Sequence, residues 1–218
     1  MGYAYRSGDP NIRSTATIVK SLMRADAKKN YDDLLAVALV VVGEQGAIAS
    51  LREIARRAGV GLPTLYRHFP TREALLEALL RTGFDDLTAK ARNLETSDAS
   101  DDALLSWLRE TVAVSQKYHG VTTAMMAAID DPNSALHASC VTMRAAGTRL
   151  LARAQADGTA RADISGADLF AIIAALAWLG DQPAVAQRAD HLFGVIASAI
   201  LPSRASIGCG VKGRARAR

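Results

Sequence analysis

The chain has 218 residues, half of them apolar and only 5% aromatic, enough to bury one large core or two small ones. Two distant cysteines, Cys140 and Cys209, exclude a disulfide framework or a spaced zinc site and point to a reducing, cytoplasmic setting. The net charge of +4 is uneven: residues 1–30 carry +4 and 204–218 carry +5, against −5 for 31–203. Basic ends favour a polyanion such as nucleic acid, and solubilising tails account for them equally well.

Apolar residues at helical spacing, with no strand-like alternation, predict an all-α fold of about nine helices. Residues 1–23 read as a disordered extension with a turn signal at Gly8-Asp9-Pro10-Asn11. The first helix is predicted from about Asp26, with Leu34, Leu35, Ala38, Leu39 and Val42 on one face and Gly43 and Gly46 at its end. Ser50-Leu51-Arg52-Glu53 has the form of a capping box, in which serine and glutamate each satisfy a backbone N–H. Leu51, Ile54, Ala55 and Ala58 carry the buried face of this second helix, and Gly59-Val60-Gly61 ends it. Leu62 precedes a proline and is steered from helical angles, so Pro63 suits the first position of a third helix reaching Phe69.

Thr71 is expected to cap a long fourth helix carrying Leu75, Leu76, Leu79, Leu80 and Phe84. Further helices are predicted over 101–118, 121–130, 134–157, 165–180 and 183–201. Ser165-Gly166-Ala167-Asp168 is a second capping signature, and Pro183 stands where a helix should begin. Residues 203–218, with three glycines and four arginines, read as a disordered basic tail.

Two short helices joined by a glycine turn form a helix-turn-helix unit. On a helical wheel Leu62, Leu65 and Phe69 define the buried side of the third helix. Pro63, Thr64 and Arg67 then point outward, with Tyr66 and His68 on the flanks. A small polar face with hydrogen-bonding shoulders suits a major-groove reader whose flanks hold phosphates. Each residue has a plainer explanation: Tyr66 as a core cap with a wet hydroxyl, His68 as a surface histidine, and Arg52, Arg56 and Arg57 as a solvated face. Their combination in this turn points to double-stranded DNA.

The stretches "RADAKKN", "SLREIARRAGV" and "LPTLYRHFPTREALLEAL" resemble the DNA-binding region of the TetR/AcrR family of transcriptional regulators, over about Arg24–Leu80. The resemblance implies a DNA-binding domain over 24–80, a helical effector-binding and dimerisation domain over 81–202, and a homodimer on a palindromic operator that a small molecule releases. It implies a base or phosphate contact at Arg52, a groove-facing helix start at Pro63 and Thr64, a phosphate-holding pair in Tyr66 and His68, and a basic phosphate contact at Arg72. Arg67 falls where the family varies and is a candidate for sequence choice, for example by bidentate contact with guanine. Family members often begin near Arg24, where Met23 stands here. Residues 1–22 are therefore an extension or an upstream start, whose Arg6, Arg13 and Lys20 suit a minor-groove arm or nothing at all.

In the last two helices, Leu169, Ile173, Leu176, Phe193, Ile196 and Ile200 are expected at a dimer interface, which the resemblance also implies; completing a monomer core is the alternative. Trp107, Met125, Met126, His137, Cys140, Met143 and Trp178 are the candidate lining of a largely apolar effector pocket, and equally of a plain core. Cys140 lacks an adjacent basic residue to lower its pKa.

The histidines at 68, 119, 137 and 191 have no metal-ligand spacing; a site using His119, His137, Asp130 and Asp131 would need tertiary contact. No metal and no cofactor are expected. An enzyme is set aside because nucleophile-elbow and phosphate-loop motifs are missing. The runners-up are a non-specific DNA binder and a helix-turn-helix kept for protein interaction. Helix four joins the two predicted domains, so Leu75–Phe84 is the expected transmitting lever. The longest apolar runs, Leu34–Val42 and Leu169–Leu179, fall short of the ~20 residues a membrane helix needs, and the N-terminus has no signal-peptide core.

Overall fold

The computed structural model describes residues 10–180 and 182–202, with side chains from Lys28 onward except Ala47 and His119. The described residues form ten α-helices and two short 3-10 turns, without a strand. They divide between Leu75 and Leu76 into two compact units. Among them no helix is long and apolar enough to cross a membrane.

The first unit contains α1 (Pro10–Gln45), α2 (Leu51–Arg57), α3 (Leu62–His68) and the start of α4 (Arg72–Leu94). α1 begins at Pro10, not near Asp26, so residues 10–23 are helical where an extension was expected. No glycine or proline interrupts the chain between Pro10 and Gly43. The β-branched run Thr15, Thr17, Ile18, Val19 has only a modest helix cost, and a first-turn proline is tolerated. The expected basic tail lies outside the described residues.

Leu34, Leu35, Ala38, Val41 and Val42 are buried, as are Ile54 and Ala55 of α2 and Leu65 and Phe69 at α3. α1 packs on α2, and α2 on α3. A Schellman closure ends α2: Gly59 N–H donates to the Arg56 carbonyl at 3.2 Å and Val60 N–H to Ala55 at 3.0 Å. Gly59 has φ +68°, the left-handed conformation this closure requires.

Two local expectations fail. Ser50 makes no side-chain cap bond. Glu53, its expected partner, is held instead by Arg56 Nε and Nη2 at 2.8 and 2.7 Å and by Arg57 Nε at 2.7 Å. Charged, bidentate donors outcompete a neutral backbone N–H. α3 begins at Leu62 with Gly61 as its N-cap, so Pro63 stands one residue inside the helix. Thr71 does cap α4, its Oγ1 accepting from Ala74 N–H at 3.0 Å.

The second unit continues α4 and adds α5 (Ser100–Lys117), α6 (His119–Ala124), α7 (Met126–Asp130), α8 (Ala135–Ala156), α9 (Gly166–Gly180) and α10 (Ala189–Ile200). The single helix expected over 121–130 is two, divided at Met125. Pro183 starts no helix; a 3-10 turn at Ala186–Arg188 precedes α10. The box at Ser165 does form: Ser165 Oγ accepts from Asp168 N–H at 3.2 Å, and the Asp168 carboxylate from Ser165 N–H at 2.8 Å.

α5 packs on α8 and α9, and α10 on α9. Trp107 lies at the centre, fully buried, its indole N–H donating to the Leu87 carbonyl at 2.9 Å. Leu169, Ile173, Leu176, Phe193 and Ile200 are buried in this same core, with Ile196 half-buried against it. These expected interface residues therefore face their own chain. The outward stripes are different and mostly small: Ala171, Ala175 and Trp178 on α9, and Val195 and Ala199 on α10. Trp178 is 54% and Val195 51% exposed.

Candidate nucleic-acid interface and cavity

Leu65 and Phe69 anchor α3, which fixes what its other side presents. Pro63 and Arg67 are exposed, Thr64 is half-buried, and Tyr66 is 45% exposed despite its aromatic ring. Arg67 Nη2 donates to Thr64 Oγ1 at 3.2 Å, drawing the guanidinium back along the helix toward its N-terminal end. His68 is braced by Tyr31 of α1, ring centroids 6.0 Å apart and edge-on, while Tyr31 stacks 5.0 Å from Phe69. Tyr31 escaped the sequence reading, although it precedes the buried Leu34 and Leu35 by one helical turn.

The arginines of α2 divide into two kinds. Arg56 and Arg57 share Glu53, and Arg57 also reaches Glu44 at 2.8 Å. Hydrogen bonds first from Arg56 and then Arg57 hold the Glu53 carboxyl down to about 2. Arg52 is exposed and has no side-chain partner among the described residues. Two of the three positive charges are therefore internally neutralised, and Arg52 keeps its own. Arg72 opens α4, half-buried.

In the second unit a cavity of about 380 Å³ lies between walls from α4 to α9. Of the seven expected lining residues, Met126, His137, Cys140 and Met143 border it. Trp107 does not, being sealed in the core; Met125 is buried away from it; Trp178 is on the outer face of α9. Leu80, Phe84, Ile129, Phe170 and Ile173 are among the residues of the apolar wall.

The polar wall includes groups the sequence reading did not assign to a pocket: Thr111, Ser115, Tyr118, Thr122, Arg144 and Asp130, the last weighed only as a metal ligand. The Thr111 and Thr122 hydroxyls donate to the carbonyls of Trp107 and Tyr118. The hydroxyls of Ser115 and Tyr118 have no partner among the described residues, although Tyr118 is only 6% exposed. Burial pushes the Tyr118 phenol up. His137 Nδ1 stands 2.7 Å from the Ile129 carbonyl, which can only accept, so that nitrogen carries a hydrogen and donates.

Burial also pushes the Cys140 thiol up, and Arg144, one turn along α8, partly offsets this. His137, Cys140 and Arg144 repeat at helical spacing, which was the available signal for Arg144. Among the described residues no group of three or more His, Cys, Asp or Glu could hold a metal ion.

Comparison with known proteins covers both units. Residues 34–79 match the profile of bacterial regulatory proteins of the tetR family. Residues 99–200 match the C-terminal domain of SbtR-like transcriptional regulators. The crystal structure of a TetR transcriptional regulator from Streptomyces coelicolor is similar at 34% identity and TM-score 0.65, over 79% of this chain and 99% of that one. A TetR transcription regulatory protein from Mycobacterium vanbaalenii is similar at 30% identity and TM-score 0.62, over 82% and 99%. The HTH-type transcriptional repressor KstR2 of Rhodococcus jostii (strain RHA1) is 35% identical over 80 residues, 36% of this chain and 39% of the repressor's length.

Proposed function

The chain belongs to the TetR family of bacterial DNA-binding transcriptional regulators, and from that premise we propose that it is an effector-responsive repressor, binding a palindromic operator as a homodimer. The observation that carries the reading is the outward face of α3. An arginine steered by Thr64 and a half-exposed tyrosine stand clear of the core that Leu65 and Phe69 fill. Arg52 supplies a phosphate or base contact, Tyr66 and His68 hold phosphates, and Arg67 reads a base edge. The KstR2 match supports repression as the output.

The exposed stripes of α9 and α10, centred on Trp178 and Val195, form the proposed contact with a second copy. Trp178→Glu should convert the dimer to monomer in sedimentation, and an unchanged dimer removes this assignment. The cavity takes the effector, and coupling runs along α4, whose Leu80, Phe84 and Leu87 form part of its wall. Operator affinity unchanged by every bound effector would remove that role.

The decisive experiment selects bound fragments from the source genome and measures affinity against salt. A palindrome with half-sites about one helical turn or more apart is expected. Arg52→Ala and Tyr66→Phe should weaken binding about tenfold or more in a still-folded dimer, whereas Arg56→Ala should change it little. Salt-dependent binding without a preferred sequence would overturn the repressor reading in favour of a non-specific binder. Unaltered binding in both variants would remove this face from the interface.

A further inference from the structure

We propose that the cavity selects an amphipathic organic anion, a mainly apolar molecule whose single carboxylate or similar group is held at Arg144. The proposal rests on the effector reading above and names the chemistry of its ligand.

α8 carries three arginines along its middle and end, and their partners differ. Arg149 pairs with Glu95 at 2.8 Å. Arg153 donates to the carbonyls of Leu94, Glu95 and Ser97. Arg144 has no ion pair among the described residues; its guanidinium lies 5.6 Å over the ring of Phe170, which meets Trp107 edge-on. Stacking holds the cation in place; the guanidinium also interacts with the Cys140 sulfur, and its remaining in-plane N–H groups can meet an acceptor. Ser115, whose hydroxyl has no partner among the described residues, adds a donor to the cavity lining, whereas the tip of the Tyr118 ring lies against Gly83 and near Asp86. The remaining lining is predominantly aliphatic and aromatic, and a cavity of about 380 Å³ suits one small organic molecule.

Asp130 also borders the cavity, without an ion pair among the described residues, and favours the opposite ligand charge. The two differ in what entry of a ligand must displace. Asp130 and Arg144 are both exposed, so the difference lies in the groups themselves: a carboxylate is strongly hydrated, whereas a guanidinium stacked on a ring is weakly hydrated and gives up its water at lower cost. Arg144 therefore decides the preference.

Isothermal titration of the full chain with decanoate, 1-decanol and decylamine tests this directly. Decanoate should bind tightest. Arg144→Gln should weaken decanoate about tenfold and leave decanol within about twofold. Asp130→Asn should strengthen decanoate. Arg144→Lys, which keeps the charge and loses the fork, should fall between wild type and Arg144→Gln. Decanoate binding no tighter than decanol, a preference for decylamine, no binding by any of the three, or indifference to Arg144→Gln overturns the proposal. Operator release is measured separately: decanoate that binds through Arg144 without altering operator affinity overturns the effector reading and leaves the anion site intact.

Discussion

Gly147 of α8 lies directly beneath the indole of Trp107, so close that a β-carbon there would overlap the ring's Cη2 and Cζ3 atoms. A glycine inside a helix ordinarily costs about 1 kcal/mol relative to alanine. Here the missing side chain is what lets α8 approach a fully buried tryptophan whose N–H is anchored to the Leu87 carbonyl. Gly147→Ala should therefore destabilise by about 1–3 kcal/mol, the usual cost of overpacking, rather than stabilise. Urea denaturation followed by Trp fluorescence reads the sign. An unchanged or higher midpoint would show that the ring can move aside.

Arg149 and Arg153 sit one turn apart on α8 and should respond very differently to removal. Arg153 reaches the carbonyls of Leu94, at the end of α4, and of Glu95 and Ser97 just beyond it; the Leu94 carbonyl also accepts from the Ser97 N–H. Arg153→Met keeps the aliphatic stem and loses those charged bonds, at a cost of about 1.5–3 kcal/mol. Arg149 forms an exposed pair with Glu95, and Arg149→Ala should cost under about 1 kcal/mol, falling further in high salt. Equal losses in denaturation midpoint for the two variants would contradict the assignment.

The two capping signatures separate what is legible in a sequence from what is not. Ser50 and Glu53 match the box pattern as well as Ser165 and Asp168, yet only the second closes. Glu53 has arginines three and four residues ahead, which take its carboxylate; Asp168 has Ala171 and Ile172 in those places. The helix-turn-helix was readable because its signals are local: Leu51, Ile54 and Ala55 on one face, a left-handed Gly59, and Leu65 and Phe69 one turn apart. For the dimer face, strength of pattern and availability point to different residues. Leu169, Ile173 and Phe193 repeat clearly because they fill the chain's own core, while the outward alanines of α9 carry little hydrophobic signal. The cavity is assembled from α4 to α9, so the pairing of Arg144 with Phe170 has no signature in either segment alone.

Glu53 makes a pH prediction with a definite sign. Its carboxyl is held at about 2, against an ordinary value of 4.5, by hydrogen bonds from Arg56 and Arg57. A depressed folded-state value means the stabilisation is present above about 4.5 and lost as pH falls toward 2. Glu53→Gln should lower the thermal midpoint at neutral pH, and the difference from wild type should close across that acid window. Because the cluster is solvent-exposed, the effect should also shrink in high salt. A difference that persists unchanged below pH 2 would assign it to packing instead.

Cys140 offers a reporter for the cavity wall, read in a Cys209→Ser background so that one thiol remains. Burial raises its pKa and the neighbouring Arg144 lowers it, with burial the larger cause. At any given pH below that raised value the thiolate fraction is smaller than in a free thiol, and the thiolate is the reacting form. Alkylation by iodoacetamide should therefore be slower than for a peptide cysteine, with its rate rising at higher pH. Arg144→Gln removes the opposing charge and should move the profile higher still. Decanoate in the cavity should slow the reaction at constant pH by covering the sulfur. A profile that matches the free thiol, or one that ignores Arg144→Gln, would place the sulfur outside the electrostatic reach of Arg144 and separate Cys140 from the polar end of the site.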